Sequence, residues 1–143
     1  MTPRWEADSR IRRGRTVVWN IHAHLVFVTK YRRGALTDEI LTRCQEIMAD
    51  VCLDFGAELF EFNGEDDHVH LLVHYPPSVK LSHLVGSLKG VSSRLLRNEF
   101  SAHLRKYLWG DHLWSPSYFA ASAGGAPLAI IAEYITNQKR PTA

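Results

Sequence analysis

The sequence contains little cysteine, and this scarcity narrows what the protein can be. Its two cysteines, Cys44 and Cys52, lie eight positions apart in a segment with helical periodicity. Two such residues are separated by about 12 Å along a helix, which is too far for a disulfide. The sequence has no C-x-x-C pair, so zinc-ribbon and thioredoxin-like proteins are excluded. We expect both thiols to be buried as small apolar residues.

Long apolar runs are also absent. No stretch approaches the roughly 18 consecutive apolar residues that a membrane-spanning helix needs. Residues 1–16 are polar and carry five arginines, whereas a secretory signal needs an apolar central region. We therefore expect a cytoplasmic protein with no membrane segment. The length of 143 residues and the hydrophobic fraction of 45% suit one domain, which we place at 17–143 behind a basic N-terminal arm at 1–16.

Charges of both signs are present but unevenly distributed. Residues 1–36 contain eight Lys and Arg against two acids, whereas residues 37–79 contain one Arg against ten acids. Residues 80–110 contain six Lys and Arg against one acid. Separate basic regions favour a surface that binds a polyanion, with the acidic region solvated elsewhere. A net charge of only +2 makes nucleic acid a plausible partner and proves nothing further.

The spacing of apolar residues predicts alternating strands and helices. Thr37 followed by two acids is typical of a helix start, and Gly56 is typical of a helix end. The element order is strand, helix, strand, strand, helix, strand and helix. This order predicts an α+β, ferredoxin-like split βαβ antiparallel sheet with two helices on one face and an additional C-terminal helix. The predicted elements span residues 17–29, 37–55, 58–63, 68–75, 81–100, 117–122 and 127–137.

Two histidine pairs with H-x-H spacing lie on the predicted central strands. Residues two apart on a strand share a face, so His68 and His70 project together while Val69 points into the core. Two neutral imidazoles side by side form half of a divalent-metal site. His22 and His24 have the same spacing. On spacing alone, a solvent-facing pair is the commoner outcome, and the spacing does not rank the two pairs against each other as metal ligands.

The predicted C-terminal helix places Tyr134 and Gln138 four residues apart, so both side chains can reach one point. Most helical tyrosines of this kind are half-buried packing residues. On the second long helix, Lys89, Ser93 and Arg97 are also four apart. That spacing suits contacts along a phosphate backbone, and a solvated helix face would look the same.

Glycines and tryptophans near the second long helix have two interpretations each. Gly86 and Gly90 inside the helix cost about 1 kcal/mol each relative to alanine. We therefore predict that another backbone or helix approaches closely there. Trp109 and Trp114 in the following loop suit either stacking on bases or sealing the edge of the core.

Five stretches of the chain carry motifs that occur together in one family. They are HLVFVTKYRR (24–33), DDHVHLLVHYPP (66–77), LSHLVGSLKGVSSRLL (81–96), LWSPSYFAAS (113–122) and EYITNQ (133–138). In content and order they resemble the TnpA-type single-tyrosine HUH transposases, which move small insertion sequences as single-stranded DNA. The family is named for a His-hydrophobe-His motif, here His68-Val69-His70. The resemblance covers nearly the whole chain from His24 to Gln138.

The resemblance implies an active site and a cofactor. The metal ligands would be His68, His70 and Gln138, and the nucleophile would be Tyr134 on the C-terminal helix. The other H-x-H pair does not match the metal motif of the family. The cofactor would be Mg²⁺ or Mn²⁺, and the reaction would pass through a 5′-phosphotyrosine intermediate.

The resemblance also implies the partners. These are single-stranded DNA hairpins at transposon ends, target DNA and a second copy of the chain. In such a homodimer the tyrosine helix would reach the partner's HUH motif, with Gly124-Gly125 as a hinge, to give two composite active sites. The candidate contacts to the DNA backbone are Lys30, Arg32, Arg33, Lys89, Arg94 and Arg97.

Two other functions stay open at this point. A ferredoxin-like nucleic-acid-binding module without catalysis would carry paired aromatic residues on its central strands, where this chain has histidines. A domesticated relative that processes repeated palindromes would share the motifs of a transposase. The sequence does not separate that relative from an active transposase.

Overall fold

The described residues form a four-stranded antiparallel sheet with two long helices, preceded by a two-stranded ribbon. The computed structural model describes residues 11–14, 16–32, 34–108, 110–122 and 128–138. No helix within these ranges is both long and apolar enough to cross a membrane. The strands are β1 (Arg12–Arg13), β2 (Val18–Trp19), β3 (His22–Val28), β4 (Glu58–Gly64), β5 (His68–His74) and β6 (Phe119–Ser122). The helices are α1 (Asp38–Asp54), α2 (Leu81–Glu99), α3 (Ser101–Leu104) and α4 (Leu128–Thr136), with one 3₁₀ turn at Lys30–Arg32.

The sheet has the strand order of the predicted fold. Its order is β4-β5-β3-β6, and each neighbouring pair is antiparallel. The central strands β3 and β5 pair along their whole length, from His22 opposite His74 to Val28 opposite His68. Helix α1 connects β3 to β4, and α2 lies between β5 and β6. The α+β ferredoxin-like fold is therefore confirmed, and both H-x-H pairs lie on the central strands as predicted.

One face of the sheet carries the main hydrophobic core. Leu25 and Phe27 of β3 and Leu71 of β5 have no exposed surface. They belong to one cluster with Met48 of α1 and Leu88 of α2. Because a single cluster joins this face to both helices, α1 and α2 cover the same side of the sheet. Burial of each such large side chain contributes roughly 1.5–3 kcal/mol to stability.

The opposite face is covered by helix α4 in one region. Val26 and Val28 form a second buried cluster there with Phe119, Tyr134 and Ile135. Side chains alternate between the two faces of a strand. The histidines of both H-x-H pairs therefore share this face with Val26 and Val28.

The predicted limits of the first long helix are confirmed. Thr37 caps α1, because its Oγ1 accepts a hydrogen bond from the backbone N–H of Ile40 at 3.2 Å. Gly56 follows the helix with a φ of +70°, a conformation that glycine adopts without a Cβ penalty. Cys44 and Cys52 are buried in α1 as expected, and burial raises the pKa of both thiols to about 12. Neither is a thiolate at neutral pH.

Two local predictions are wrong. The segment predicted as one strand over 17–29 is divided into β2 and β3, and β2 pairs with β1 instead of joining the sheet. Gly86 and Gly90 are exposed on α2, and a Cβ at either would meet no atom of the described residues within 4 Å. Within that part of the chain, no backbone or helix approaches these glycines closely. Of the predicted N-terminal arm, residues 1–10 and Arg15 lie outside the described residues.

These glycines give opposite predictions for alanine substitution. Gly56→Ala should lower the free energy of unfolding by roughly 1–2 kcal/mol, because an alanine Cβ is strained at a left-handed φ. Gly86→Ala should raise it by roughly 0.5–1 kcal/mol, since alanine favours the helix and meets open space. Urea unfolding of both variants beside the wild type measures the two changes. Destabilisation by Gly86→Ala would show that this surface of α2 is not free.

Candidate functional site

The first part of the site is the histidine pair on β5. His68 and His70 are half-buried and lie opposite Val28 and Val26 of β3. Val69 between them is fully buried in the main core. The strand alternation thus holds both imidazoles on the face of the sheet opposite the main core, as predicted. We call this side of the sheet the open face.

His68 is held by a carboxylate. Its Nδ1 lies 2.9 Å from Oδ1 of Asp67, which is only 4% exposed. Asp67 is itself anchored, because its carbonyl accepts hydrogen bonds from the N–H of Thr29 at 2.9 Å and from the Thr29 hydroxyl at 3.2 Å. A carboxylate behind a histidine is a common support for a metal-binding imidazole.

His70 is held by a histidine of the other H-x-H pair. Its Nε2 lies 3.1 Å from Nδ1 of His24 on β3. Burial lowers the pKa of His70 below its usual value, and the neighbouring His24 lowers it further. His70 is therefore neutral at physiological pH, which is the form that binds metal ions.

A cluster of possible cation ligands surrounds His68. Ligand atoms of Glu65, Asp67 and His68 all lie within 4.8 Å of one another, and within the described ranges no other group of three His, Cys, Asp or Glu does so. Carboxylate oxygens suit Mg²⁺ and Mn²⁺, whereas imidazole nitrogens suit transition metals. The Asp67 carboxylate in this group is already hydrogen-bonded to Nδ1 of His68, so the exposed Glu65 is the carboxylate of the group that is left to bind a divalent cation.

The second part of the site is Tyr134 on α4. Its ring packs against Phe119, with centroids 5.6 Å apart, in the cluster that covers Val26 and Val28. Its hydroxyl shares a hydrogen bond of 2.8 Å with Oγ of Ser117. Burial raises the pKa of Tyr134, and the Ser117 hydrogen bond opposes that rise. The phenol is therefore protonated at neutral pH.

Gln138 meets Tyr134 as the four-residue spacing predicted. Its Nε2 donates to the carbonyl of Tyr134 at 3.2 Å. Its Oε1 accepts hydrogen bonds from the hydroxyls of Ser115 at 3.2 Å and Ser117 at 3.3 Å. One short segment, Ser115 to Ser117, thus holds both residues.

Strand β3 lies between the two parts of the site. The N–H of Ser115 donates to the carbonyl of Val28 at 2.7 Å, while His68 is the partner of Val28 on the other side. Adjacent strands lie about 4.8 Å apart, so Ser115 and His68 are separated by roughly 10 Å. The histidine pair and the Tyr134–Gln138 pair therefore lie on adjacent parts of one face, within a single chain.

The predicted phosphate-contacting row on α2 instead contacts the 111–117 segment. The ammonium of Lys89 donates to three carbonyls, those of Ser115 at 2.7 Å, Pro116 at 3.3 Å and Ser117 at 3.2 Å. Burial lowers its pKa. Ser93 is buried and accepts a hydrogen bond from the N–H of Leu113 at 3.2 Å. Lys89 and Ser93 therefore fix the loop that holds Tyr134.

Four of the candidate DNA contacts line one open groove of about 560 Å³ between α2 and the 111–116 segment. Arg94 is exposed on its wall. Arg97 crosses the groove to the carbonyl and carboxylate of Asp111, at 2.9 and 3.3 Å. The four are Lys30, Lys89, Arg94 and Arg97.

Of the remaining predicted site residues, one is buried in the core and the others lie in the part of the chain that is not described. Trp114 is 4% exposed, and its Nε1 donates to Oγ of Ser92 at 2.9 Å, so it seals the core instead of stacking on bases. Outside the described residues lie the side chain of Arg32, all of Arg33, Trp109, the Gly124-Gly125 hinge and the predicted helix start at Pro127.

The sequence interpretation missed the residues that hold the site together. Asp67 directly precedes the H-x-H motif, and this position was the available signal for its role. Ser115 and Ser117 lie in an irregular segment, for which periodicity makes no prediction. His24 was identified only as a competing ligand, because its contact with His70 depends on how two strands pair.

Comparison with known proteins places this geometry in a family. Residues 17–138 match the family described as "Transposase IS200 like". The chain is 33% identical over 130 residues to the ISDra2 transposase TnpA of Deinococcus radiodurans, covering 90% of this chain and 91% of that protein. It is 32% identical over 120 residues to the transposase for insertion sequence element IS200 of Salmonella typhimurium, covering 84% of this chain and 78% of that protein.

Solved structures agree with this assignment. The crystal structure of a candidate transposase from Deinococcus radiodurans R1 superposes with a TM-score of 0.80 at 34% identity, over 91% of this chain and 99% of that one. A REP-associated tyrosine transposase bound to a REP hairpin superposes with a TM-score of 0.54 at 11% identity, over 89% and 69%, which shows a shared fold. The family match spans most of the chain and includes both halves of the site, so this protein belongs to the IS200-like transposase family.

Proposed function

We propose that this transposase cleaves and rejoins single-stranded, hairpin-containing transposon ends through a 5′-phosphotyrosine intermediate on Tyr134. The observation that carries the proposal is the position of Tyr134 and Gln138 across Val28 from His68, on the open face of the sheet. The Tyr134 hydroxyl lies at the surface of that face, where it is hydrogen-bonded to Ser117.

A tyrosine suits transposition because the bond it forms can be reversed. Attack by Oη of Tyr134 on the scissile phosphorus forms a Tyr–O–P bond and breaks the bond from phosphorus to the 3′ oxygen. The leaving 3′ oxygen takes a proton, and the 5′ phosphate stays on the enzyme. A different 3′-hydroxyl can then attack the phosphotyrosine and rejoin the strand, as covalent catalysis allows. Hydrolysis by water would instead end the reaction.

Tyr134 must lose its proton for this attack. Its raised pKa keeps the free phenol protonated, and the Ser117 hydroxyl is the nearest group in hydrogen-bond contact with it. In the present structure the single hydroxyl proton of Ser117 is donated to Oε1 of Gln138, so the Tyr134 hydroxyl donates to Oγ of Ser117. Once Oε1 of Gln138 binds another group, the Ser117 hydroxyl can donate to Oη of Tyr134, where it would stabilise the phenolate relative to the phenol.

The metal ligands would be His68, His70 and Gln138, with Mg²⁺ or Mn²⁺ as the cation. The neutral state of His70 and the exposed carboxylate of Glu65 beside His68 fit such an ion. Oε1 of Gln138 accepts from Ser115 and Ser117 in the present structure, so it would exchange those bonds on binding. When bound, the ion would polarise the non-bridging oxygens of the scissile phosphate.

Replacement of the nucleophile tests the proposal directly. Tyr134→Phe should abolish a denaturant-resistant covalent adduct with a single-stranded hairpin oligonucleotide in the presence of Mg²⁺. The expected loss is on the order of 10³-fold or more, since no covalent route is left. Denaturing electrophoresis of a labelled oligonucleotide measures the adduct.

Tyr118→Phe is the matched control, because Tyr118 is exposed and adjacent to Ser117. It should form the adduct as the wild type does. A wild-type protein that binds the hairpins from the element's own ends but forms no adduct would be a binding module, and the proposed reaction would be wrong.

The groove beside α2 is the proposed path of the DNA backbone. It brings the positive groups of Lys30, Arg94 and Arg97 together along one open surface. Cations spaced along a groove suit contacts with the successive phosphates of a single strand. Lys89 lines the same groove and donates to three carbonyls in the present structure, so a phosphate contact from Lys89 would require it to exchange one of those hydrogen bonds.

Arg94→Gln should weaken binding of a hairpin oligonucleotide about three- to ten-fold and lower the salt dependence of binding by about one ion. Fluorescence anisotropy at several salt concentrations measures both quantities. Arg105→Gln removes an equal charge from an exposed residue that does not line this groove. If both variants weaken binding equally, Arg94 contributes only to the overall positive charge of the protein, and the proposed path of the DNA along this groove would be wrong.

We also propose that two chains exchange their tyrosine helices to form composite sites. Tyr134 contacts Val26, Val28 and Phe119 within one chain. A closed dimer can reproduce the same contacts between chains, because exchange of an identical element preserves each interaction. This arrangement would give one HUH motif and one tyrosine from different chains in each site.

A heterodimer of differently inactivated chains distinguishes the two arrangements. One chain carries His68→Ala and the other carries Tyr134→Phe, and the two are co-purified through different tags. Exchanged helices place the intact His68 and the intact Tyr134 in one site, so adduct formation should return to about half of the wild-type level per dimer. If no adduct forms, each chain uses its own tyrosine.

A further inference from the structure

We infer that Asp67 and His24 are positioning residues that set the tautomers of His68 and His70. They leave the lone pairs of His68 Nε2 and His70 Nδ1 for a bound metal ion. This inference rests on the proposed metal site but concerns residues outside the ligand set. It is carried by two ring-nitrogen contacts, one of 2.9 Å from Asp67 to His68 and one of 3.1 Å from His24 to His70.

The contact with Asp67 determines the tautomer of His68. An ionised carboxylate has no hydrogen to donate, so Nδ1 of His68 must carry the proton that lies between them. A neutral imidazole has one N–H, which leaves Nε2 as the nitrogen with a lone pair. Asp67 is 4% exposed, and Thr29 holds its carbonyl through two hydrogen bonds. The main chain of Asp67 is thus fixed by Thr29, and burial leaves its side chain little room to turn away from His68.

The contact with His24 makes the opposite nitrogen of His70 available. Nε2 of His70 faces Nδ1 of His24, so one of the two rings must donate. If His24 donated, the only proton of neutral His70 would be on Nδ1 and neither nitrogen would be free. His70 binds a metal ion only if it donates through Nε2 and keeps a lone pair on Nδ1. His24 must then carry its own proton on Nε2.

The consequence is a site whose ring orientations are set before an ion arrives. Two histidines on alternate positions of a strand would otherwise rotate about χ2 and sample both nitrogens. Here Asp67 holds the His68 ring through Nδ1, and His24 holds the His70 ring through Nε2. Loss of such an outer partner typically costs 10–100-fold in metal affinity.

This assignment also separates the roles of the second H-x-H pair. His24 points toward His70 and supports it. His22 lies further along β3, where its ring stacks on His74 with centroids 4.3 Å apart and an interplanar angle of 10°. The pair therefore does not act as a second metal half-site.

Side-chain NMR of the metal-free, ¹⁵N-histidine-labelled protein tests the tautomers without DNA or metal. The expected result is a proton on Nδ1 of His68 and on Nε2 of His70. A proton on Nδ1 of His70, or on Nε2 of His68, would overturn the inference.

Three variants at two positions of β3 test the effect on metal binding by calorimetry with Mn²⁺. His24→Leu cannot accept from His70 and should lower Mn²⁺ affinity about 10–100-fold. His24→Gln can accept through its amide oxygen and should retain most of the affinity. His22→Leu, the matched control two residues away, should leave the affinity and the tautomers unchanged. Equal affinity in His24→Leu and the wild type would overturn the role of His24.

The outcomes separate this inference from the proposed function. The assigned tautomers together with the absence of any wild-type adduct would contradict the proposed reaction alone. A Tyr134-dependent adduct together with reversed tautomers would contradict the present inference alone.

Discussion

The antiparallel pairing of β3 with β5 is the constraint on which the rest of the structure depends. Its register, from His22 opposite His74 to Val28 opposite His68, decides which side chains share a face. Leu25 and Leu71 fall on the side covered by α1 and α2, and both H-x-H pairs fall on the other. A slip of one residue would reverse these positions and place imidazoles in the core. The core and the histidine face are therefore specified by the same set of backbone hydrogen bonds.

The 115–117 segment connects the core to the tyrosine helix through hydrogen bonds. Lys89 projects from α2, a helix that packs on the main core. Its ammonium donates hydrogen bonds to three carbonyls of the segment. The segment in turn presents the hydroxyls of Ser115 and Ser117 to Gln138 and Tyr134. A flexible loop would leave the Tyr134 side chain free to move. The half-buried Lys89 instead provides a fixed connection from the core to the Tyr134 phenol.

The regular parts of this arrangement could be predicted from the sequence, because they follow from the repeat of side-chain direction along a strand or a helix. Alternation placed His68 and His70 on one face, and the four-residue spacing placed Gln138 beside Tyr134. Thr37 and Gly56 marked the ends of α1 through local hydrogen bonding and backbone conformation.

Parts that depend on contacts between distant residues could not be predicted in this way. A lysine on a helix face looks the same whether it faces phosphates or carbonyls, so the contacts of Lys89 with the carbonyls of residues 115–117 could not be predicted. The sequence does not show whether a helical glycine is exposed or in close contact with another element, which explains the wrong prediction for Gly86 and Gly90. The roles of His24 and Ser117 depend on strand register and on an irregular loop, and neither has a periodic signature.

The other end of the open face shows why equal H-x-H spacing produced different roles. There β4 carries an extra residue, Phe60, at a register shift opposite β5, and its ring meets His22 and His74 at centroid distances of 5.1 and 5.3 Å. His74 is 2% exposed, and within the described ranges neither of its ring nitrogens has a hydrogen-bond partner. Burial lowers its pKa, and His22 lowers it further, so the stacked ring is neutral and packs as an aromatic group.

The β1–β2 ribbon closes this end of the face. Arg12 of β1 binds Glu58 through two hydrogen bonds of 2.7 and 2.8 Å, and its guanidinium lies 5.8 Å from the centroid of Phe60. The hydrogen bonds from Arg12 lower the pKa of the Glu58 carboxyl. Arg12 precedes the region that matches the family, which begins at residue 17. A segment outside the family match therefore covers the aromatic end of the face, and the uncovered histidines are those beside Asp67 and the tyrosine helix.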